Sequence, residues 1–176
     1  MRFTPTELAG AFVVELERHS DERGFFARTW CARELAEVGL PGEFVQGNVS
    51  FNRRAGTMRG LHWQADPHAE DKLVRVTAGA VWDVMVDLRP GSPTRLAHVG
   101  LRLDADNRTA LYIPKGFAHG FLTLADDTEV VYEMSAFYVP EAARGARWDD
   151  PAFGIHWPAA VEVISERDAG YPDYQS

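Results

Sequence analysis

The sequence predicts an all-β sandwich or barrel built from many short strands. Apolar and polar residues alternate over short runs, and Gly- and Pro-rich turn signals separate these runs at intervals of roughly ten residues. The chain has 176 residues, of which 45% are hydrophobic and 25% are charged, as in ordinary globular proteins. We therefore expect residues 1–176 to form a single domain.

One segment near the N-terminus has the pattern of a helix instead. Thr29 to Val38 reads as helical, and Gly39 and Pro41 follow it directly. Glycine just past a helix end and proline shortly afterwards are a common helix stop signal. Nearly all of the remaining chain is predicted to be strand.

Polar side chains line one face of several predicted strands. Residues two apart on a strand share a face, so Gln46, Asn48 and Ser50 lie together, opposite Val45, Val49 and Phe51. On the next strand His62 shares a face with Gln64. A small barrel with inward Gln, Asn and His residues is typical of a ligand cavity rather than of a filled core.

The later strands have the same character. Lys72 shares a face with Val74 and Val76, whereas the run over 80–88 is largely apolar on both faces until the turn signal at 89–93. Tyr132, Met134 and Tyr138 have the same parity. These patterns add a lysine and two tyrosines to the candidate cavity.

The composition excludes several classes of function. The chain has 18 Lys and Arg against 26 Asp and Glu, a net charge of -8, which argues against nucleic-acid binding but permits a small phosphorylated ligand bound by local arginines. No apolar run approaches the roughly 20 residues of a membrane span. Because the N-terminus lacks a signal-peptide pattern and Cys31 is the single cysteine, we expect a cytoplasmic protein without an intramolecular disulfide.

Two of the six histidines occur in distinctive contexts. His119 lies in IPKGFAHGF, which resembles the second signature of cupin barrels, and His62 lies in GTMRGLHWQ, which resembles the first. Gln64 stands where metal-binding cupins have a second histidine, and it is a poor replacement as a ligand. We therefore expect acid–base chemistry at His62 and no bound metal.

The chain as a whole resembles the dTDP-4-dehydrorhamnose 3,5-epimerase family. This resemblance implies a cupin-type jelly-roll β-barrel with a few short peripheral helices. The order and spacing of short segments carry it over nearly the whole length. These segments are DERGFF (21–26), QGNVS (46–50), RGLHWQ (59–64), KLVRV (72–76), VWDVMVDLRPGSPT (81–94), IPKGFAHGF (113–121), Tyr132, FYVPE (137–141), RWDDP (147–151) and SERD (165–168).

The family resemblance also implies an enzyme that needs no cofactor. It would invert carbons beside the C4 ketone of a nucleoside-diphosphate 4-keto-6-deoxy sugar. By the family pattern, His62 removes the proton alpha to the ketone. Asp168 orients the imidazole ring of His62 and favours its charged form. Lys72 stabilises the enolate oxygen, and Tyr132 returns a proton from the opposite face.

The family positions also imply a substrate-binding set and a partner. Arg59 and His119 match positions at the sugar and carbonyl end, whereas Arg23, Gln46 and Asn48 match contacts to nucleotide, diphosphate or sugar. The resemblance further implies a homodimer in which N-terminal segments complete the partner's site, so that Arg23 acts across the interface. The expected set of substrate contacts is completed by Phe26, Tyr138 and Glu141.

A few positions depart from the family pattern. Arg28 stands where an acidic residue is common, Ala143 replaces the second glutamate of YxPExE, and Glu70 and Asp71 precede Lys72 where Gln-Gly is common. These departures leave open the nucleotide, the sugar and the number of inverted centres. The alternatives are a C3-only or C5-only epimerase on a GDP- or CDP-linked sugar, a non-catalytic sugar-nucleotide-binding cupin, and a metal-dependent cupin oxygenase or isomerase.

Overall fold

The computed structural model describes residues 1–175, and these are folded almost entirely as β-structure. Two α-helices are present in this range, α1 (Ala32–Glu37) and α2 (Glu166–Ala169), with a 3₁₀ turn at Pro140–Ala142. The strands are β1 (Arg2–Pro5), β2 (Phe12–Glu15), β3 (His19–Asp21), β4 (Gly24–Phe26), β5 (Gln46–Asn52), β6 (Met58–Gln64), β7 (Lys72–Ala78), β8 (Ala80–Asp87), β9 (His98–Asp104), β10 (Ala110–Ile113), β11 (Phe117–Thr123), β12 (Thr128–Met134) and β13 (Ala143–Gly145).

Eight strands, β5 to β12, form a jelly roll of two sheets. One sheet has the order β10-β7-β12-β5 and the other has the order β6-β11-β8-β9. Every connection between consecutive strands crosses from one sheet to the other, except the β8–β9 hairpin. This topology confirms the jelly-roll expectation. The two sheets are packed as a sandwich with separate hydrogen-bonding ladders.

The N-terminal strands enlarge one of the two sheets. Strands β1 and β2 pair beside β10, which gives a sheet of six strands, and β13 pairs with β6, which gives a sheet of five. Strands β3 and β4 form a separate hairpin. No helix within residues 1–175 has the length and apolar character required to cross a membrane.

The predicted helix is present, but it begins three residues later than Thr29. Trp30 packs edge to face against Phe44, with 6.2 Å between ring centroids, and the helix starts only after Cys31, whose side chain makes no capping bond. Its end agrees with the stop signal: Gly39 has a φ of +78°, and Leu40 N donates to the carbonyl of Leu35 at 3.0 Å.

Apolar side chains fill three layers. A central cluster between the sheets includes Val76, Leu111 and Val130, and the outer face of each sheet is covered as well. Helix α1 contributes Leu35 to the cover on the six-stranded sheet, and the segment around Phe153 covers the five-stranded sheet. The interior between the sheets is therefore a true core over most of its length.

The turn after β8 is organised by one buried carboxylate. Asp87 is fully buried, and its oxygens accept hydrogen bonds from the Arg89 backbone and guanidinium and from the hydroxyls of Ser92 and Thr94, at 2.5 to 3.0 Å. Burial opposes ionisation, but these donors prevail and hold the pKa of Asp87 well below its usual range. The run DLRPGSPT is thus a structural motif that organises a turn, rather than part of a functional site.

Replacing Asp87 with Asn should destabilise the fold by about 2–3 kcal/mol, because several donors lose a charged acceptor. Since the folded-state pKa is depressed, the stabilisation is present above the unfolded pKa of about 4 and is lost as the pH falls below it. Urea unfolding of both proteins at pH 7 and near pH 3 measures this difference. Asp149→Asn, at an exposed ion pair, is the control and should change stability little. An Asp87→Asn protein as stable as the wild type at pH 7 would contradict this account.

Candidate active site

A cavity of about 430 Å³ opens between the two sheets, at the end where β7 begins and β12 finishes. Along this strand pair the inward residues change from apolar to polar. Val76 faces Val130 in the core, whereas Lys72 and Tyr132 lie at the cavity. The residues that line it include Arg59, His62, Trp63, Gln64, Glu70, Lys72, His119, Phe121, Tyr132, Met134, Tyr138, Arg144, Arg167 and Asp168.

A β-bulge in β6 turns two functional side chains toward this cavity. His62 pairs with His119, and Arg59 pairs with Phe121, so three steps along β6 oppose two steps along β11. Simple alternation would place Arg59 and His62 on opposite faces, but the extra residue puts both on the cavity side. The bulge depends on Gly60, which has a φ of +116°.

The C-terminal segment returns to β6 and carries Asp168 into the site. The carbonyl of Val163 accepts a hydrogen bond from Met58 N at 2.8 Å, which fixes the segment beside the start of β6. Ser165 then caps α2 by accepting from Asp168 N at 3.1 Å. As a result, Asp168 is only 5% exposed despite its position near the end of the chain.

His62 and Asp168 form a directly hydrogen-bonded pair. His62 Nε2 lies 2.7 Å from Asp168 Oδ1, and Asp168 Oδ2 accepts from the backbone N–H of Gly60 at 3.3 Å. Burial raises the pKa of Asp168, but the contacts with His62 and Gly60 and the charge of Arg167 outweigh it, so the net pKa is lowered. An ionised Asp168 accepts from Nε2–H, which leaves Nδ1 of His62 as the nitrogen able to take a proton.

A second histidine–aspartate pair lies beside the first. His119 Nε2 is 3.0 Å from both carboxylate oxygens of Asp83, which is completely buried. Both histidines thus belong to the five-stranded sheet and have a carboxylate behind the ring. This arrangement makes Nε2 of His119 a donor to Asp83.

The opposite sheet contributes a lysine and a tyrosine. Lys72 Nζ lies 3.0 Å from Glu70 Oε1 and 3.3 Å from the carbonyl oxygen of His62. The pKa of Tyr132 is raised by burial, with the charge of Arg59 opposing the shift and that of Glu70 adding to it. The Tyr132 phenol is therefore protonated at neutral pH and is able to donate.

The guanidinium groups at the cavity differ from Lys72 in their partners. Arg59 Nε donates to Asn52 Oδ1 at 2.7 Å, Arg144 donates to backbone carbonyls, and Arg167 Nε donates to the hydroxyl of Tyr171 at 2.8 Å. Within residues 1–175, none of these three arginines forms an ion pair with a carboxylate. Their positive charge is available for an anionic ligand.

The structure brings together seven of the predicted site residues and leaves five outside the cavity. Those that line it are His62, Lys72, Tyr132, Asp168, Arg59, His119 and Tyr138. Gln46 and Asn48 lie just beyond it on the inner side of β5, where their amides contact the sulfur of Met134 at 3.7 and 3.3 Å. Arg23 and Phe26 lie on the exposed β3–β4 hairpin, and Glu141 is exposed in the 3₁₀ turn.

Gln64 has a structural role. Its amide nitrogen donates to the carbonyls of His68 and Phe137, and its oxygen accepts from Val139 N at 2.6 Å. These bonds tie the end of β6 to the loop after β12. Within residues 1–175, no three His, Cys, Asp or Glu side chains cluster in a way that would hold a metal ion.

Sequence reasoning did not select three charged residues that line the cavity. The sequence marks Glu70 only as a departure from the family pattern, and no sequence pattern indicates Arg144 or Arg167. The signal available for Arg167 was its position directly before Asp168 in SERD. Glu70 comes from an irregular segment before β7, where alternation does not indicate a direction.

A jelly roll that places His62, bonded to Asp168 of α2, on one sheet and Lys72 and Tyr132 on the facing one has the fold and the proton-transfer groups of a cupin-type isomerase. The family model described as dTDP-4-dehydrorhamnose 3,5-epimerase matches residues 5–176. A protein of that name from Sinorhizobium fredii is 43% identical over 98% of this chain and 89% of its own. The chain belongs to the dTDP-4-dehydrorhamnose 3,5-epimerase family.

Solved structures agree with this assignment. The dTDP-4-dehydrorhamnose 3,5-epimerase of Elizabethkingia anophelis superposes with a TM-score of 0.96 at 36% identity, covering 99% of this chain and 96% of that one. The Bacillus anthracis protein of the same name, crystallised with TDP and PPi bound, gives a TM-score of 0.95 at 40% identity and covers 98% and 99%. The similarity extends over the whole fold.

Gly60→Ala should destabilise the protein by at least about 2 kcal/mol, because the residue needs an unusual φ and a close approach to β11. An added Cβ would lie 2.5 Å from Gly120 Cα and 2.8 Å from the carbonyl oxygen of His119. Urea unfolding provides the measurement. Gly47→Ala is the matched control, since nothing lies within 4 Å of its added carbon. Equal stability of the two variants would show that the bulge is not constrained as described.

Proposed function

We propose that the protein is an epimerase that inverts carbons beside the C4 ketone of a dTDP-linked 4-keto-6-deoxy sugar. The observation that carries this proposal is the position of His62 and Tyr132 on facing sheets of one cavity. Lys72 lines the same cavity from the sheet that carries Tyr132. Inversion needs a base on one face of the sugar ring and an acid on the other. The two sheets supply these groups separately.

His62 acts as the base. The bond between Nε2 and Asp168 fixes the tautomer, so that Nδ1 accepts the proton from the carbon alpha to the ketone. Asp168, ionised and buried, stabilises the imidazolium that forms. General acid–base groups of this kind contribute about 10²–10⁴ to a rate.

Lys72 stabilises the charge that develops on the ketone oxygen. Its ammonium is nearly buried, with 9% of the side chain exposed, so its effect on an enolate is much stronger than in water. Tyr132 returns a proton from the six-stranded sheet, on the face opposite His62. Because its pKa is raised, the phenol enters the reaction protonated.

Arg59, Arg144 and Arg167 bind the diphosphate. Each already donates to a neutral group, which holds the guanidinium in place without cancelling its charge. A diphosphate accepts paired hydrogen bonds from such groups. The TDP and PPi bound to the Bacillus anthracis relative support a nucleoside-diphosphate ligand here.

We further propose that residues 1–176 form one domain that acts as a homodimer. The β3–β4 hairpin is held on its own chain by Phe25, which packs between the guanidinium groups of Arg18 and Arg108 at 5.1 Å. It presents Arg23, with 85% of its side chain exposed, and Phe26, which is 74% exposed. Phe26 is free to contact a partner chain, and Arg23, whose guanidinium is paired with Asp21 on the exposed hairpin, would exchange that partner for a ligand in the partner's cavity.

The outer face of edge strand β5 supports the same assembly. Val49 and Phe51, which also border the cavity, are 63% and 51% exposed, and Val45 just before the strand is 47% exposed. A row of apolar side chains on an edge strand favours association with another surface. A second copy of the chain would cover this row.

His62→Asn should lower the rate of deuterium incorporation into the sugar by about 10²–10⁴, because it removes the base. Proton NMR of dTDP-4-keto-6-deoxyglucose in D₂O follows exchange at C3 and C5 separately. His98→Asn, which lies on β9 outside the cavity, is the control and should retain wild-type exchange. Exchange by His62→Asn at the wild-type rate would exclude His62 as the base, and deuterium at one carbon alone would exclude the double inversion.

Mixing the purified Arg23→Ala and His62→Asn proteins should restore activity, if Arg23 completes the cavity of the partner chain. Each hybrid dimer then has one intact site, so about a quarter of all sites regain function after subunit exchange. The mixture of His62→Asn with Asp168→Asn is the control, because both changes lie in the same cavity and no intact site forms. A mixture no more active than its separate components would contradict the shared site.

A further inference from the structure

The pair formed by Glu70 and Lys72 has a geometry that catalysis alone does not require. Both side chains are nearly buried, with 3% of Glu70 and 9% of Lys72 exposed, and the two charged atoms are 3.0 Å apart. The other oxygen of Glu70, Oε2, is buried and has no hydrogen-bond partner within residues 1–175. The charge of this carboxylate is thus neutralised by Lys72 alone.

The donors of Lys72 are distributed so that one remains for the substrate. An ammonium group has three N–H bonds. One donates to the carbonyl oxygen of His62 at 3.3 Å, and Glu70 Oε1 lies 3.0 Å from the same nitrogen as its ion-pair partner. Because Lys72 also lines the cavity, an N–H remains for a group inside it.

The charge of Lys72 differs from that of the cavity arginines. Arg59, Arg144 and Arg167 donate to neutral groups and form no direct ion pair within residues 1–175, whereas Lys72 is paired with a buried carboxylate. A phosphate close to Lys72 would also lie close to Glu70, and the repulsion between two buried anions is large. A neutral ketone meets no such repulsion when it binds, and the single charge that develops on its oxygen during the reaction is offset by the direct hydrogen bond from Lys72.

We propose that Glu70 is a positioning and specificity residue: it aims the free N–H of Lys72 at the ketone and excludes anionic groups from the sugar end of the cavity. This role rests on the proposed epimerase function of the same site. It implies that the sugar end accepts neutral keto sugars and rejects sugars that carry a carboxylate or a phosphate. It also gives the bound nucleotide sugar one orientation, with the diphosphate at the arginines.

The test is binding of inorganic phosphate to protein saturated with dTDP, measured by isothermal titration calorimetry. The nucleotide occupies the arginines, so a further anion has only the sugar end available. We expect the affinity of this second site for phosphate to be at least about 10-fold higher in Glu70→Gln than in the wild type. The double variant Glu70→Gln with Lys72→Met should lose this gain, because the anion binds Lys72.

Asp71→Asn provides a matched control. Asp71 is also buried and adjacent in sequence, but it bonds to Lys115 N and Ser135 Oγ and does not line the cavity. Its phosphate binding should match the wild type. Glu70→Ala, which removes the carboxylate and leaves space, should bind phosphate as Glu70→Gln does. It answers the same question if the glutamine variant does not fold.

The outcomes separate this proposal from the function on which it rests. Failure of the wild type to bind dTDP or to exchange deuterium would overturn the epimerase assignment. Wild-type exchange combined with unchanged phosphate affinity in both Glu70 variants would overturn the role of Glu70 alone. In the active protein, phosphate should also compete with the keto sugar in Glu70→Gln at least about 10-fold more strongly than in the wild type.

Discussion

The bulge at Gly60 determines which side chains share the cavity. It places Arg59 and His62 on one face of β6, although regular alternation would separate them. The same glycine donates its backbone N–H to Asp168, which in turn holds His62. One local irregularity therefore positions Arg59, His62 and Asp168, which we propose as an anion-binding group, the base and the carboxylate that holds the base. Bulges are often found beside active sites for this reason.

The interior between the sheets is an apolar core at one end and contains the candidate active-site cavity at the other. Valines and leucines fill the core end, where burial of apolar surface stabilises the fold. At the cavity end, buried charges occur in pairs, as His62 with Asp168, His119 with Asp83 and Lys72 with Glu70. An unpaired buried charge would be strongly destabilising, so pairing allows charged groups to lie next to a hydrophobic core.

Strand patterns predicted the all-β class, the inward polar row of β5 and the direction of Lys72. They did not predict that Arg59 and His62 share a face, since a bulge breaks the two-residue period on which the reasoning depends. Asp168 could be assigned only by family resemblance, because its position depends on the contact between Val163 and Met58, far apart in sequence. Local helix preference also did not predict the late start of α1, where Trp30 packs on Phe44 before the first turn.

The sandwich itself favours inversion of a carbon centre. Packed sheets lie about 10 Å apart, a distance that side chains from both sheets can span with one sugar ring between them. His62 projects from the five-stranded sheet and Tyr132 from the six-stranded one, so in the proposed reaction they would address opposite faces of the ring. An acid and a base on the same sheet would return the proton to the face it left. Placing them on opposite sheets makes delivery to the other face the direct consequence of the fold.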